Sequence, residues 1–405
     1  MKKKVLIFSL DYLPGNISGA EAAIKEITDR ISPEDIEFHM VTLFYNSETP
    51  RVEKIGNILI HRVGLFGKKN PDLEERGSFP LHYNKYWYQI SAGLKGYLLH
   101  RKNNYDAIWG MMPHGTGVPS VIFKWLAPKV PYVMTIQEGD SPEHIEKMVK
   151  PMWFVWKRCF WKADMIQSIS KFLAGWAERR GAACPIVLVR NGANPQSINP
   201  TFDPAEVEVL KQELGKKDGD IFLTNTARLV KQKAFDITIK SLQLLPDNIK
   251  LLVVGDGNEA QNLKNLVTEL RLEDRVIFTG HIDRNEVTKY RMASDIFVGP
   301  SRSEGLGNAF LSAMACRLPV VSTQVGGIAD FLFDKNRNPN KPTTGFAVDV
   351  DSPEQIAETV QYIISHPEEV AEVVKQAREM VVSEYDWDLI AKRMQEEIFQ
   401  TVWKN

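Results

Sequence analysis

The feature that most limits what this chain can fold into is an alternation that runs through nearly all of it. Short apolar runs rich in valine, isoleucine and phenylalanine are followed, one after another, by stretches of helical periodicity. A run that is apolar on both sides suits a strand covered by helices on both faces, as in β–α units around a parallel sheet. Runs at 5–9, 38–44, 58–63, 107–110, 132–136, 165–169 and 186–189 predict a first sheet. Runs at 221–227, 250–254, 276–279, 296–298, 319–322 and 346–348 predict a second, with helices over 20–31, 236–245, 259–270 and 309–316 among the gaps. The turn-forming segment Asn191–Pro200 separates the two sets. The expected architecture is α/β: two doubly wound, Rossmann-like domains facing a shared cleft, over 1–195 and 196–385. A helical tail over 386–405 is expected to pack back toward the first.

With 405 residues the chain is long enough for two domains, and 43% hydrophobic residues can fill a core in each. The start, Met1-Lys-Lys-Lys-Val-Leu-Ile-Phe-Ser-Leu10, has a charged lead and an apolar run. That run is short, ends at Asp11 and precedes no small-residue cleavage site, so it reads as a first buried strand. No stretch approaches the roughly 20 apolar residues needed to cross a bilayer. Cys159, Cys184 and Cys316 are far apart and odd in number, which suits a reducing, cytoplasmic setting and neither a disulfide framework nor a zinc site. Residues 1–200 hold 26 Lys+Arg against 19 Asp+Glu, and the remainder 24 against 32. No basic run or RNA-binding signature accompanies the positive half, so nucleic acid is not an expected partner.

Open parallel sheets bind ligands beyond the carboxyl ends of their strands, so chemistry should fall just after the apolar runs. Run 221–227 leads directly into Arg228, with Lys233 five residues on. A guanidinium fork and a mobile ammonium there could hold a diphosphate, or could be solvated surface. Run 250–254 ends in Gly255-Asp256-Gly257, which permits a tight turn and close ligand approach, or is a plain β–α turn. Pro300-Ser-Arg-Ser-Glu-Gly-Leu-Gly-Asn-Ala-Phe310 carries Glu304 just before a helix whose free amides suit phosphate. A carboxylate beside such an anion site is awkward unless it accepts hydrogen bonds from sugar hydroxyls; its bland role is a helix cap. In the first half, Gly19 opens a helix after run 5–9. His114 follows run 107–110 in a glycine-rich loop, and Gln137-Glu-Gly-Asp140 follows run 132–136.

Taken together these pieces resemble the retaining glycosyltransferases of family 4, the GT-B group. The resemblance runs from Ser-Gly-Ala-Glu21 through Arg190-Asn-Gly-Ala-Asn194, Arg228…Lys233, Val254-Gly-Asp-Gly257 and Phe278-Thr-Gly280. It continues in Asp295–Ser301, Glu304-Gly-Leu-Gly307, Pro319–Thr323 and Val325-Gly-Gly-Ile328. It implies a hexosyltransferase that retains anomeric configuration, needs no divalent metal or other cofactor, and takes a UDP- or GDP-linked sugar as donor. The donor would sit on the C-terminal domain, and a glycan, lipid-linked or small-molecule acceptor on the N-terminal one. Arg228 and Lys233 match the diphosphate-binding pair, and Glu304 the first carboxylate of the Glu-x7-Glu motif. Gly305, Leu306, Gly307 and Asn308 match the phosphate-binding helix start, Gly255 and Asp256 the second strand's turn, and backbone near Ile282 would border the base. Gly19 would face the diphosphate, and His114 matches a histidine near the reacting sugar. Two positions depart: Ser312 stands where the second glutamate, which grips the ribose, is expected, and Gln137-Glu138 stands where many relatives have histidine. Asp349-Val-Asp351 has the spacing of a metal motif but reads as a turn and helix cap.

Ser312 keeps two other readings open, a noncatalytic sugar- or nucleotide-binding relative and, less in keeping with the motif spacing, a nucleotide-sugar epimerase of the same fold. Residues 147–162 combine five cations with three tryptophans and two phenylalanines. As one helix they could rest at the inner face of an anionic membrane, aromatic side down, or pack on a core with a basic outer face.

Overall fold

The computed structural model describes residues 2–14, 19–71 and 73–404, so positions 15–18 of the expected Gly-rich loop lie outside the described residues. It divides into two compact units, residues 1–190 with 387–405, and residues 191–386. Each is a sheet between helices, all parallel but for one edge strand of the first, the GT-B type of architecture.

In the first unit the strands are β1 (Lys3–Phe8), β2 (Ile36–Leu43), β3 (Val52–Ile55), β4 (Ile58–Val63), β5 (Ala107–Met111), β6 (Tyr132–Ile136), β7 (Met165–Ser168) and β8 (Ile186–Leu188). Their order in the sheet is β3-β4-β2-β1-β5-β6-β7-β8. Central strands such as β5 and β6 are buried at every position, because helices cover both faces and no alternation is needed. The antiparallel edge strand β3 was not expected. Its sequence, Val-Glu-Lys-Ile, is half charged and exposed at alternate residues, and it pairs through a turn at Gly56, where φ is +54°. Such a strand is specified by its hairpin partner rather than by its own hydrophobicity.

The helix Tyr83–Asn103 is fixed to this sheet by polar as well as apolar contacts. Tyr88 donates its hydroxyl to the carbonyls of Ser9 and Val41, and the Asn84 amide donates to Phe44 and Phe66. Glycines set its closeness: a Cβ on Gly93 would stand 2.7 Å from the Pro119 carbonyl, and one on Gly96 2.6 Å from the Phe8 ring. The C-terminal segment returns here too, with Trp387, Ile390, Met394, Ile398 and Phe399 buried against β1, β2 and the helix Gly19–Thr28.

The second unit holds β9 (Ile221–Thr226), β10 (Ile249–Val254), β11 (Val276–Gly280), β12 (Ile296–Gly299), β13 (Val320–Ser322) and β14 (Phe346–Ala347), in the order β11-β10-β9-β12-β13-β14. Helices start where side chains satisfy their free amides: Asn194, Asp203 and Ser352 each accept a backbone N–H one turn in, with proline at the first helical position. Ser352 is therefore the cap near the Asp-x-Asp sequence. Asp349 and Asp351 instead pair with Arg337 and Arg302.

Residues 147–162 do not form one helix. They break into the pieces Lys150–Met152, Trp153–Trp156 and Arg158–Lys162, and Trp156 and Phe160 are fully buried against Trp176. Only Phe154 and Trp161 remain well exposed among its aromatics.

One buried group makes the first unit sensitive to acid. His61 on β4 is 8% exposed, both ring nitrogens lack partners among the described residues, and burial with His39 nearby pushes its pKa down to about 4. The unfolded chain takes up that proton near pH 6.5, so the stabilisation is complete above that pH and is lost as pH falls toward 4. His61→Leu should therefore make the fall of melting temperature between pH 6.5 and 4 shallower, by about 1–2 kcal/mol at the acid end. Calorimetric melts of the two proteins with equal slopes would contradict this.

Candidate functional site

A doubly wound sheet has one place where the strand order reverses, and the loops on either side of it separate to leave a crevice. In the second unit the chain builds outward from β9 through β10 to β11, then crosses back to β12, so the reversal lies between β9 and β12. The loops leaving these two neighbours carry Arg228 and Lys233 on one side and Glu304 on the other. This is why residues 71 positions apart meet: the Lys233 ammonium is ion-paired with the Glu304 carboxylate. Ser301 also donates its hydroxyl to that carboxylate, at 3.1 Å. The Glu304 side chain is 7% exposed and that of Lys233 19%, whereas Arg228 is on the surface.

Directly behind Glu304 the helix Asn308–Ala315 begins at Gly307, whose φ of +102° is a left-handed conformation that glycine adopts without strain. No side chain caps this start, so its first amides are available to an anionic ligand. The loop Glu304–Leu306 is held from below by the turn Gly326-Gly327. A Cβ on Gly326 would come within 2.0 Å of the Glu304 carbonyl, and one on Gly327 within 2.1 Å of the Gly305 carbonyl. The Gly327 N–H donates to the Glu304 carbonyl at 3.1 Å. Gly326 and Gly327 were read in sequence only as part of a pattern; their function is this close backbone contact.

Gly255 and Asp256 follow β10. The Gly255 N–H bonds the Gly280 carbonyl, and a Cβ on Gly255 would strike the Ala227 carbonyl at 2.0 Å, so the β10 turn is pressed onto the backbone just before Arg228. Ile282 lies beyond β11, next to Asp283, whose carboxylate accepts the Asn285 N–H and whose carbonyl accepts those of Glu286 and Val287. Ser312 is buried on the helix Asn308–Ala315. Its hydroxyl donates to the Asn308 carbonyl at 2.8 Å and accepts the Asn194 N–H at 2.9 Å, while the Asn194 side chain donates to the Arg284 carbonyl. Ser312 thus ties this helix to the 191–194 segment, a link that sequence spacing did not suggest. Nearby, Arg291 is buried without a carboxylate partner among the described residues, donating to the hydroxyls of Thr226 and Ser197, and burial lowers its pKa to about 10.

In the first unit the strand order reverses between β1 and β5. Gly19 begins the helix that follows β1, and His114 lies in the helix that follows β5. His114 is not in a loop: the helix starts at Pro113, one residue after Met112 at φ +65°, and proline suits that first position. Its ring Nδ1 and its backbone N both lie 3.5 Å from Oε1 of Glu138, a carboxylate only 1% exposed that also accepts the Gln137 N–H. Glu138, read from sequence only as a departure from histidine, is thus a buried carboxyl group beside His114.

The Lys233–Glu304 pair makes an asymmetric prediction. Removing the ammonium leaves a buried carboxylate with one hydroxyl for company, whereas neutralising Glu304 leaves an ammonium that can turn to solvent. Lys233→Ala should cost about 1–3 kcal/mol in urea unfolding and Glu304→Gln less than half of that. Equal losses would contradict the geometry described.

Residues 206–380 match the family model of the glycosyl transferases group 1. The chain is 26% identical over 261 residues to the sulfoquinovosyl transferase of Arabidopsis thaliana, a match covering 63% of this chain and 48% of that protein. It is 26% identical over 365 residues to an uncharacterised glycosyltransferase of Methanocaldococcus jannaschii, covering 90% and 89% of the two chains. In structure it is similar to Anabaena HepE, solved with UDP-glucose, at a TM-score of 0.75 and 20% identity over 98% of this chain and 99% of that one. The chain thus has the GT-B fold, and its likeness to the glycosyl transferases group 1 model lies in residues 206–380.

Proposed function

We propose that this protein is a retaining, metal-independent hexosyltransferase that uses a UDP- or GDP-linked sugar. The observation that carries the reading is the Lys233–Glu304 pair at the β9/β12 reversal, beside Arg228 and in front of an uncapped helix start. Similarity to glycosyltransferases over most of the chain supports it. Arg228, Lys233 and the amides behind Gly307 would hold the diphosphate and neutralise the charge that gathers on it as it leaves. Glu304 would exchange Lys233 for hydroxyls of the donor sugar as Lys233 turns to phosphate. The bond between the anomeric carbon and the phosphate oxygen breaks, and the acceptor oxygen bonds that carbon from the face the nucleotide vacates. The acceptor's hydroxyl proton passes to the departing phosphate. Gly255, Asp256 and Ile282 border the nucleotide in this reading. The first unit, which carries the His114–Glu138 contact, selects a glycan, lipid-linked or small-molecule acceptor in this reading. A cytoplasmic setting, at the inner membrane face when the acceptor is lipid-linked, goes with it.

The hydrogen bonds of Ser312 favour one alternative. With its hydroxyl given to Asn308 and Asn194, the ribose grip expected at this position is weaker by about 1–2 kcal/mol than a carboxylate's, which suits a noncatalytic binding relative. Incubation with a panel of UDP-, GDP- and ADP-sugars separates the two. The enzyme reading expects nucleotide release from at least one, reduced by about 10²–10³-fold in Glu304→Ala. No release from any donor, with or without acceptors, would leave the binding reading.

A further inference from the structure

The first unit carries an apolar face that its own core does not use. On the helix Tyr83–Asn103, Trp87 is 45% exposed, Ile90 50%, Leu94 46% and Leu98 59%. Together with Tyr83 these residues recur at intervals of four, three, four and four, which places them on one side of a helix. Tyr86, at 65%, widens the stripe, and Phe79, just before the helix, extends it at 78%. The opposite side of the helix is the one locked to the sheet by Asn84, Tyr88, Gly93 and Gly96, so the stripe cannot rotate inward. The neighbouring helix Pro113–Leu126 ends in Trp125 and Leu126, both exposed. The ring of His100 stands 5.7 Å from that of Phe123, which brings the ends of the two helices together.

Charge selects what can cover this face. From Gly77 to Tyr105 there is no aspartate or glutamate, and after Asp106 none until Glu138. Arg101, Lys102 and Lys129 lie exposed near the end of the stripe, and none is in an ion pair among the described residues. Tyrosine and tryptophan beside aliphatic residues, flanked by cations and free of anions, match the headgroup level of a bilayer: rings and aliphatics enter, cations meet phosphate. We propose that the outer face of the helix Tyr83–Asn103 is the surface through which this protein lies on anionic lipid. The broken segment 147–162, which spends Trp156 and Phe160 on the core, is not that surface. This inference stands independently of the donor chemistry.

The test is co-sedimentation of the full chain with vesicles of phosphatidylcholine alone or with about 30% phosphatidylglycerol, at low and high salt. Binding is expected to the anionic vesicles, weakened by salt. Ile90→Glu/Leu94→Glu should lower it at least about tenfold, with melting temperature and nucleotide-induced stabilisation retained. Arg101→Gln/Lys102→Gln should reduce the dependence on phosphatidylglycerol, and Phe154→Ser/Trp161→Ser should bind as the parent does. No binding to anionic vesicles, or binding unchanged by Ile90→Glu/Leu94→Glu, would overturn the proposal. A dimer in light scattering that this double variant converts to monomer, without vesicle binding by the parent, would assign the face to a second copy instead.

Discussion

The candidate site of the second unit depends on how closely two stretches of backbone approach. Gly326 and Gly327 lie against the carbonyls of Glu304 and Gly305, at separations that leave no room for even one methyl group. That contact fixes the loop between β12 and the following helix, and with it the direction of Glu304 and the position of the free amides behind it. Gly255 does the same for the neighbouring β9 loop, pressing on Ala227 just before Arg228. Both sides of the crevice are thus set by main-chain packing, which is more rigid than a cluster of long side chains could be.

On this scaffold the charged groups are poised rather than idle. Glu304 is nearly buried and would be costly to hold as an anion without a partner, and Lys233 supplies one. A ligand offering hydroxyls to the carboxylate and phosphate to the ammonium replaces that pair with two better-matched contacts. In the first unit Glu138 and His114 form a more loosely spaced acid–imidazole contact at the other reversal point, at the second residue of the helix Pro113–Leu126. Arg291 fastens the end of β9 to the helix Pro195–Ile198, its buried guanidinium donating to the hydroxyls of Thr226 and Ser197 with no carboxylate partner among the described residues.

Much of this was legible before any coordinates. Strands buried on both faces announce themselves as continuous apolar runs, and β4 and β6 occupy the very residues their runs span. The rule that ligands sit beyond strand ends picks out Arg228, Lys233 and Glu304, because it needs only the ends of the apolar runs and neither strand order nor contacts. What could not be read is instructive. β3 has no hydrophobic signature because it is an edge strand defined by its hairpin. His114 looked like a loop residue because glycines surround it, yet those glycines let the helix approach Leu10 and Trp156. The composition of 147–162 left a membrane-lying helix and a core-packing one open, and the segment instead breaks into short pieces that bury Trp156 and Phe160, whereas Tyr83–Asn103 exposes a continuous apolar stripe. That helix is apolar on both sides, and sequence does not say which side the sheet takes.

The central claim is that the Lys233–Glu304 crevice holds a nucleoside diphosphate, and ligand-induced stabilisation measures this most directly. A ligand that binds only the folded chain at about 100 times its dissociation constant adds about 2.7 kcal/mol of stability. Thermal unfolding should be followed with uridine, UDP, guanosine, GDP, adenosine and ADP. The account predicts that at least one diphosphate raises the melting temperature well beyond its nucleoside, and that Arg228→Ala/Lys233→Ala removes the difference. A nucleoside as effective as its diphosphate, or a diphosphate effect that survives in the double variant, would contradict it.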